Sequence, residues 1–158
     1  MLKGNKILLR SLTYSDLNFL KSIENNIDNW HFGSEEKKFS NDELTNYIEN
    51  AKIDIKIAKQ YRFVIVYKCS PVGFIDLYNY KNKSVEIGII ISEKYQNRGF
   101  AKESLLLILD YSLKNLGLKK IRATISSDNV LSLMLFKSCG FKIHKTENNL
   151  IHFYKLAM

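Results

Sequence analysis

The pattern of apolar and polar residues divides the chain into two parts with different periods. In the first part, apolar residues recur at helical spacing, as in Leu17, Leu20 and Ile23, which share one helix face. In the second part the period shortens to that of a β-strand, beginning with Phe63-Val64-Ile65-Val66-Tyr67. The pattern predicts one mixed α/β domain over the whole chain, in the order β α α β β β α β α β β.

The first sixty residues are predicted to hold a short strand and two helices. Thr13 and Asp16 are spaced like the two members of a capping box, and an acidic residue there also favours a helix start electrostatically. Residues 26–40 carry Trp30 among polar residues and are predicted as a loop region. The predicted elements are a strand at 6–10, a helix that begins after Thr13, and a second helix that Asn41 caps and that runs to about Lys56.

The remaining residues are predicted to form a three-stranded meander followed by alternating helices and strands. Ile87 and Ile89-Ile90-Ile91 make an almost continuous apolar run, which predicts a strand that is buried on both faces. Gly117 and Gly140 end the two predicted helices. The predicted elements are strands at 61–67, 72–78, 85–91, 121–126, 141–145 and 151–156, and helices from about 100 to 116 and from Asp128 or Asn129 to Lys137.

The segment after the third meander strand has the pattern Gln96-x-x-Gly99-x-Ala101. Small residues at its fourth and sixth positions let a ligand approach the backbone, and the unpaired N–H groups and dipole of the following helix favour an anion. Arg98 and Lys102 add positive charge. The pattern predicts a phosphate-binding turn, although the same residues also fit a plain turn that Gly99 caps. The glycine patterns of P-loop and Rossmann nucleotide sites do not occur in the sequence.

Charge supports an anionic ligand because it is unevenly distributed. The chain has 24 Lys and Arg residues and 16 Asp and Glu residues, a formal net charge of +8. Residues 1–60 are neutral overall, and all of the excess lies in residues 61–158. Such a basic part suits an anionic partner, or it is simply a solvated lysine-rich surface. No run of five basic residues occurs, so we expect neither a nucleic acid nor a membrane as the partner.

Length and composition exclude several other classes of protein. A chain of 158 residues with 46% hydrophobic and 25% charged residues is typical of one globular domain. Its longest apolar runs are too short to span a bilayer, and the first residues lack the apolar core of a signal peptide. Cys69 and Cys139 are isolated, and no Cys/His cluster has metal-ligand spacing. We therefore expect a cytoplasmic protein without a metal site.

Three ordered motifs carry a resemblance to a known family: Glu86–Ile91, Tyr95–Glu103, and Asn129–Ser132 with the later Gly140-Phe141. Together they resemble the GNAT family of N-acetyltransferases, in particular its ribosomal-protein and spermidine N-acetyltransferase branch. The opening Ile7–Leu12, followed by Asp16-Leu17, also fits that branch. The resemblance covers nearly the whole chain.

The resemblance implies an α/β domain with a central, largely antiparallel sheet that splays at the CoA-binding strand, flanked by about four helices. Residues 1–60 would supply the acceptor-side helices, and residues 61–158 would bind acetyl-CoA. The pantetheine arm would pair with the backbone of the third meander strand, which leaves its neighbour through a bulge, and the phosphates would lie on the turn. The implied cofactor-binding residues are Ile89, Ile90, Ile91, Gln96, Asn97, Arg98, Gly99, Phe100, Ala101, Lys102, Asn129, Ser132 and Phe136.

Glu86 is the residue that we assign as the general base. The two-residue period of a strand sets Glu86, Gly88 and Ile90 on one face, and a carboxylate among apolar neighbours needs a reason. Members of the family often have a Glu here, which removes a proton from the amine through water. Otherwise Glu86 is an exposed residue at a strand start, paired with Lys83.

The sequence does not identify the group that protonates the leaving thiolate. The family often has a Tyr four residues before the glycine of the last motif, where this chain has Phe136. The thiolate can take a proton from water instead. The other candidate donors are Tyr78, Tyr80, Ser132 and Cys139.

The predicted function is acetyl transfer from acetyl-CoA to a primary amine, and a polyamine or diamine such as spermidine is the favoured acceptor. The family branch favours it, and so does the acidic cluster that includes Glu35, Glu36, Asp42 and Glu43. A protein N-terminus and an aminoglycoside or amino sugar are the alternative acceptors. A non-catalytic CoA-binding module or an RNA-binding protein is the alternative class, and a homo-oligomer is left open. The predicted substrate-binding residues are Trp30, Glu35, Glu36 and Tyr78.

Overall fold

A computed structural model describes residues 1–26 and 38–157 of the chain. Eight strands and five α-helices lie in these two ranges. The strands are β1 (Leu2–Lys3), β2 (Ile7–Ser11), β3 (Tyr61–Tyr67), β4 (Ser70–Lys81), β5 (Ser84–Ile91), β6 (Lys120–Ser126), β7 (Lys142–Glu147) and β8 (Leu150–Leu156). The helices are α1 (Leu17–Glu24), α2 (Asn41–Asn50), α3 (Ile55–Ala58), α4 (Phe100–Lys114) and α5 (Val130–Ser138).

All eight strands belong to one sheet in the order β1-β2-β3-β4-β5-β6-β8-β7. Every neighbouring pair is antiparallel except β5 and β6, which are parallel. The predicted meander is β3-β4-β5. The mixed, largely antiparallel sheet confirms the predicted fold class.

Each face of the sheet carries its own hydrophobic core, as the two-residue period of the strands requires. On one face, Val64, Val66 and Phe74 pack with buried leucines and isoleucines of α1 and α2. On the other face, Ile65 and Ile75 are in the core that includes apolar residues of α4 and α5. The strands are therefore held between two helical layers.

The start of α2 differs from the prediction by one residue. Ser40, rather than Asn41, is the N-cap, because its hydroxyl accepts from the Glu43 amide at 3.1 Å while Glu43 accepts from the Ser40 amide at 3.2 Å. The helix ends at Asn50 instead of about Lys56. The predicted last turn is a separate helix, α3, whose Asp54 carboxylate accepts from the Lys56 amide at 2.8 Å.

The parallel contact between β5 and β6 is short, and this opens the sheet. Within the described residues, the two strands pair from Ser84 to Glu86 and then separate, although β5 continues to Ile91. Ile87 is buried, whereas Ile89, Ile90 and Ile91 are only half-buried. The expectation that the whole run is buried on both faces was wrong, because its last residues border the opening between the strands.

The bulge of this region lies in β4 and not in β5. The register between β4 and β5 shifts between Tyr78 and Lys81, where two residues of β4 face one residue of β5, and Asn79 takes a positive φ of 51°.

Within the described ranges, no helix is both long and apolar enough to cross a membrane.

Candidate active site

The turn before α4 has the backbone shape of an anion-binding loop. Asn97 and Gly99 both have positive φ, 61° and 84°, on either side of Arg98. Alternating backbone handedness of this kind turns successive N–H groups toward one point, and the free N–H groups of the α4 start lie beside it. The Gln96 amide is used locally, because its Nε2 donates to the Ile91 carbonyl at 2.9 Å and ties the turn to the end of β5.

Positive charge lies around this turn. The Arg98 guanidinium packs 4.9 Å from the centre of the Tyr67 ring and 5.2 Å from that of Phe100, and it donates to the Tyr67 hydroxyl at 3.3 Å. A hydrogen bond from Lys68, together with the charges of Lys68 and Arg98, lowers the pKa of the Tyr67 phenol. Lys102 is exposed on the first turn of α4. The side chains therefore create the potential that phosphates need.

The opening between β5 and β6 leads away from this turn along the half-buried residues Ile89 to Ile91. Backbone groups of β5 that face β6 have no partner strand there among the described residues, so an extended amide-containing ligand can pair with them. Asn129 lies at the start of α5, just beyond β6, and its Oδ1 accepts from the Ser132 amide at 3.3 Å. This leaves the Asn129 amide N–H₂ to donate to a ligand. These groups suit acetyl-CoA, with its phosphates and its two-amide pantetheine arm.

Glu86 is the last β5 residue that pairs with β6, so its carboxylate lies where the opening begins. Its side chain is 13% exposed and is held by three neighbours. Asn79 Nδ2 donates at 2.5 Å, the Thr124 hydroxyl donates at 3.2 Å, and an Arg122 amino group lies at 3.6 Å. The alternative pairing with Lys83 is not found, since the partner charge comes from Arg122 on β6.

Tyr78 lies directly opposite Glu86 on β4. The Tyr78 ring also lies over Gly88, since a Cβ built at Gly88 would be in ordinary van der Waals contact with it at 3.5 Å. Burial, together with the nearby charges of Glu86 and Asp76, raises the pKa of Tyr78 to about 12. The phenol is therefore protonated throughout the neutral range.

A second acidic group lies on the same sheet face. Arg62 makes two 2.7 Å bonds to the Asp76 carboxylate and a 2.6 Å bond to that of Glu24. The Arg62 side chain is 12% exposed, and its guanidinium lies over the Phe74 ring at 4.6 Å. Two further bonds join Asn25 to Phe39, with the Phe39 amide donating at 2.7 Å and Asn25 Nδ2 donating to the Phe39 carbonyl at 3.1 Å. The described residues on either side of segment 27–37 are therefore held together beside this group.

The structure separates the predicted site residues into three groups. The turn, the exposed edge of β5 and the start of α5 border one opening, with Glu86 and Tyr78 at its inner end. Trp30, Glu35 and Glu36 lie outside the described residues. Phe100 and Phe136 belong to the core and are each 2% exposed, so Phe100 can offer a ligand only its backbone.

Phe136, which was predicted to contact the cofactor, lies in the core. Its ring packs 5.0 Å from that of Phe141 and 6.2 Å from that of Phe153, and it offers a ligand almost no surface. Two of the candidate proton donors also lie elsewhere. Cys139 is buried in the same core, and Tyr80 packs against that core with Lys59 over its ring.

Sequence reasoning missed Arg122, Thr124, Asn79 and the Arg62–Asp76 pair. A charged residue in an otherwise apolar strand, such as Asp76 between Ile75 and Leu77, is the signal that points to such a site.

Among the residues that the structure describes, no group of three or more His, Cys, Asp or Glu side chains is arranged to hold a metal ion.

Comparison with known proteins identifies the family. The model of the acetyltransferase (GNAT) domain matches residues 6–142. The chain belongs to the GNAT acetyltransferases. It is therefore an acyltransferase, as the motifs predicted, and the non-catalytic and RNA-binding classes are not supported.

Individual GNAT relatives are similar over most of the chain. Spermidine N(1)-acetyltransferase of Vibrio cholerae serotype O1 is 32% identical over 141 residues, 87% of this chain and 80% of that protein. The enzyme of the same name from Escherichia coli K12 is 26% identical over 96% of this chain and 80% of its own length. The crystal structure of the Vibrio cholerae spermidine N-acetyltransferase with CoA and spermine has a TM-score of 0.86 at 27% identity, covering 97% of this chain and 96% of that one.

Proposed function

We propose that this GNAT enzyme transfers the acetyl group of acetyl-CoA to a primary amine of a polyamine such as spermidine. The observation that carries the proposal is the separation of β5 from β6 directly after Glu86, because a cofactor groove then meets a carboxylate that is only 13% exposed. The relatives from Vibrio cholerae and Escherichia coli that are named for spermidine acetylation support the acceptor class.

The cofactor groups are assigned by position. The backbone of the Asn97–Ala101 turn, with Arg98 and Lys102, would hold the phosphates, and the edge of Ile89–Ile91 with Asn129 and Ser132 would hold the pantetheine arm. Acetyl-CoA supplies the activated thioester. A β5 N–H beside the opening is suited to stabilise the thioester oxygen as negative charge develops there.

Glu86 is assigned as the base. An alkyl ammonium has an ordinary pKa near ~10.4, so the acceptor arrives protonated and must lose a proton before it attacks. The Glu86 carboxylate accepts that proton, directly or through a water. Arg122, Asn79 and Thr124 fix its orientation, and the residues of α1 and α2 would wall the acceptor side.

Tyr78 is assigned to substrate binding and not to protonation of the thiolate. The pKa of Tyr78, raised to about 12, makes its phenol a weaker acid than the thiol of CoA, whose ordinary pKa is near ~8.5. Its hydroxyl can instead hydrogen-bond the acceptor beside Glu86. The thiolate leaves with CoA and takes up a proton from the buffered solvent.

The acceptor is bound by charge in this proposal. Glu24, Asp76 and Glu86 place three carboxylates on one face, with Arg62 and Arg122 beside them. Carboxylates at this end of the opening suit an ammonium ligand, although the chain as a whole has a formal charge of +8.

The deciding experiment is a thiol-release assay with acetyl-CoA and three acceptor types: spermidine, a peptide with a free N-terminus, and an aminoglycoside. We expect spermidine to have the highest kcat/KM, with the product heavier by one acetyl group in mass spectrometry. A higher kcat/KM for the peptide or the aminoglycoside would reassign the acceptor. Thiol release with none of them would contradict amine acetylation.

Self-association is the last part of the proposal. A spermidine N-acetyltransferase of Vibrio cholerae has a dodecameric structure, at 26% identity to this chain. Here Leu131, Met134 and Leu156 are exposed, and exposed apolar residues often mark a protein interface. Light scattering should therefore give a particle mass that is a multiple of 18.4 kDa.

A further inference from the structure

A line of side chains joins Glu86 to the protein surface across four adjacent strands. The Thr124 hydroxyl on β6 lies 3.2 Å from Glu86 Oε1 on β5, and 3.4 Å from His152 Nδ1 on β8. His152 Nε2 lies 3.5 Å from Glu147 Oε1 on β7. The exposed fraction of the side chain rises along this line, from 13% at Glu86 through 27% at His152 to 50% at Glu147.

Cross-strand register explains why these side chains meet. Thr124 and His152 are direct partners in the β6–β8 pair, and Glu86 is the partner of Arg122, two residues before Thr124 on the same face of β6. The ring atom His152 Nε2 is buried and makes no hydrogen bond within the described residues, although the Glu147 carboxylate is near. A buried polar atom of this kind needs a functional or structural explanation.

A base that works repeatedly needs a way to lose its proton. Glu86 is mostly buried, and bound acceptor and cofactor would cover the opening beside it. A second route would let the proton taken from each amine leave before the products do, and so without waiting for the opening to clear. Imidazole is suited to that step, because it changes protonation state in the near-neutral range and carries a nitrogen at each end.

We propose that Thr124 and His152 form a proton exit that discharges Glu86 to the surface at Glu147. The proposal rests on Glu86 as the base. Thr124 and His152 act through Glu86 and are positioning residues, since neither is assigned a contact with substrate. Nothing in the family resemblance assigned them.

The proton passes from the amine to solvent in a series of transfers along this line. The amine N–H bond breaks as a Glu86 oxygen takes the proton. Glu86 then donates it to the Thr124 oxygen, while the Thr124 hydroxyl proton passes to His152 Nδ1. The imidazolium, facing Glu147, gives its Nε2 proton through that half-exposed carboxylate to water, and exchange with water restores the starting tautomer. One proton has moved from the amine to solvent.

The charges that face this line come from three neighbouring strands. Lys145 on β7 lies 3.1 Å from Glu147 and is the register partner of His152, and Arg122 on β6 lies near Glu86. The Glu147 carboxylate and the Lys145 ammonium are the two charged groups nearest to His152. We expect the pH profile of kcat to depend on this group as a whole.

The test compares His152→Gln and Thr124→Val with the parent under saturating substrates. We expect kcat to fall about tenfold in each, with the KM for both substrates unchanged, since the loss is of proton transfer and not of binding. The kcat of the double variant should be no lower than that of the slower single variant, because either substitution alone already interrupts the same proton route. Thr124→Ser keeps a hydroxyl and should recover most of the rate that Thr124→Val loses.

His144 supplies a matched control. It is an exposed imidazole on β7 that packs edge-on against the Tyr154 ring and takes no part in the line. His144→Gln should keep the parent kcat. Added imidazole buffer at fixed pH should raise the rate of His152→Ala and leave that of His144→Gln unchanged.

The outcomes separate this proposal from the assignment of the base. If Glu86→Gln is slow while His152→Gln and Thr124→Val keep kcat within twofold of the parent from pH 6 to 9, the exit is wrong and the base stands. If Glu86→Gln itself turns over at the parent rate, both assignments fall. If His152→Gln does not fold, the comparison of kcat between Thr124→Val and Thr124→Ser decides the question, because a route through the hydroxyl requires the serine variant to be the faster one.

Discussion

Glu86 is chemically useful because three different side chains hold one carboxylate at the edge of an opening. Asn79 and Thr124 donate to it, and Arg122 supplies a cation at 3.6 Å. Removing the charge while keeping the shape therefore tests the chemistry with little disturbance of the packing. The glutamine oxygen can still accept from Asn79, and its NH₂ group can donate to the Thr124 hydroxyl oxygen.

Glu86→Gln should lower kcat by about 10²–10⁴-fold, the usual contribution of a general base. The dissociation constant for acetyl-CoA should change little, because no cofactor contact is assigned to this side chain. Steady-state kinetics and calorimetric titration with acetyl-CoA measure the two effects separately. A kcat within threefold of the parent would move the base elsewhere.

Asp16 is a second carboxylate that several donors hold, and here the bonds stabilise the fold. Its carboxylate is 2% exposed and receives two 2.8 Å bonds from Arg10 and one 2.9 Å bond from the Thr13 amide. Burial alone would raise the pKa of Asp16, but the hydrogen bonds and charge of Arg10, with the Thr13 bonds, lower it below its ordinary value of 3.8. The ionised form is therefore the one that stabilises the fold.

Asp16→Asn should destabilise the protein by about 1–3 kcal/mol at pH 7, since it leaves Arg10 without its partner. A depressed pKa means that the contribution is complete above pH ~4 and is lost as the pH falls through the lower folded value. Urea unfolding at a series of pH values from 7 down to about 2 should show the difference between variant and parent shrinking once the pH falls below ~4. Asp110→Asn, at an exposed pair with Lys114, is the control and should change stability by less than ~0.5 kcal/mol at pH 7.

At the scale of elements, the turn into α4 depends on backbone conformation more than on side-chain room. Gly99 has φ 84°, a value that β-branched residues strongly disfavour and Asn tolerates. A Cβ added at Gly99 would have no neighbour within 4 Å, so strain and not a clash limits substitution in the free protein. The space beside the backbone is then available to a ligand.

Gly99→Asn separates these two effects. We expect a loss of stability below ~1 kcal/mol, but at least a tenfold rise in the acetyl-CoA dissociation constant, about 1.4 kcal/mol, if a phosphate lies against this backbone. Gly99→Val should lose more stability as well as affinity. Thermal unfolding and titration report on each. Unchanged affinity in folded Gly99→Asn would remove the phosphates from this turn.

At the scale of the whole molecule, charge separates the two ligands. The net charge of +8 favours association with phosphates, whereas the acceptor face carries the exposed portions of Glu24, Asp76 and Glu86. Long-range attraction acts through solvent and is screened within ~8–10 Å at ordinary ionic strength. Binding of the anionic cofactor should therefore be the more salt-sensitive event.

Raising the ionic strength from about 0.05 to 0.5 M should increase the acetyl-CoA dissociation constant about fivefold. Acetylpantetheine lacks the phosphates and serves as the control ligand, and its affinity should stay nearly constant. Titrations of both at several salt concentrations give the two slopes. Equal slopes would show that the basic half does not act through the phosphates.

Local patterns in the sequence determined most elements of this protein. The change of apolar period near residue 61 predicted the meander, and the Gln96–Ala101 pattern predicted the turn that starts α4. These features depend on residues within a few positions of one another, where propensity, capping and backbone handedness act. The break between α2 and α3 was missed because the Asp54 cap starts a new helix within an otherwise continuous helical pattern.

Tertiary structure alone decided what surrounds Glu86. Thr124 lies 38 residues away along the chain and reaches Glu86 only through the parallel register of β5 with β6. The same register, by ending at Glu86, left Ile89 to Ile91 beside an opening and not in a core. Phe136 was buried by contacts with Phe141 and Phe153. Such outcomes depend on which distant strands pair and where the pairing stops, and a short-range pattern carries no information about either.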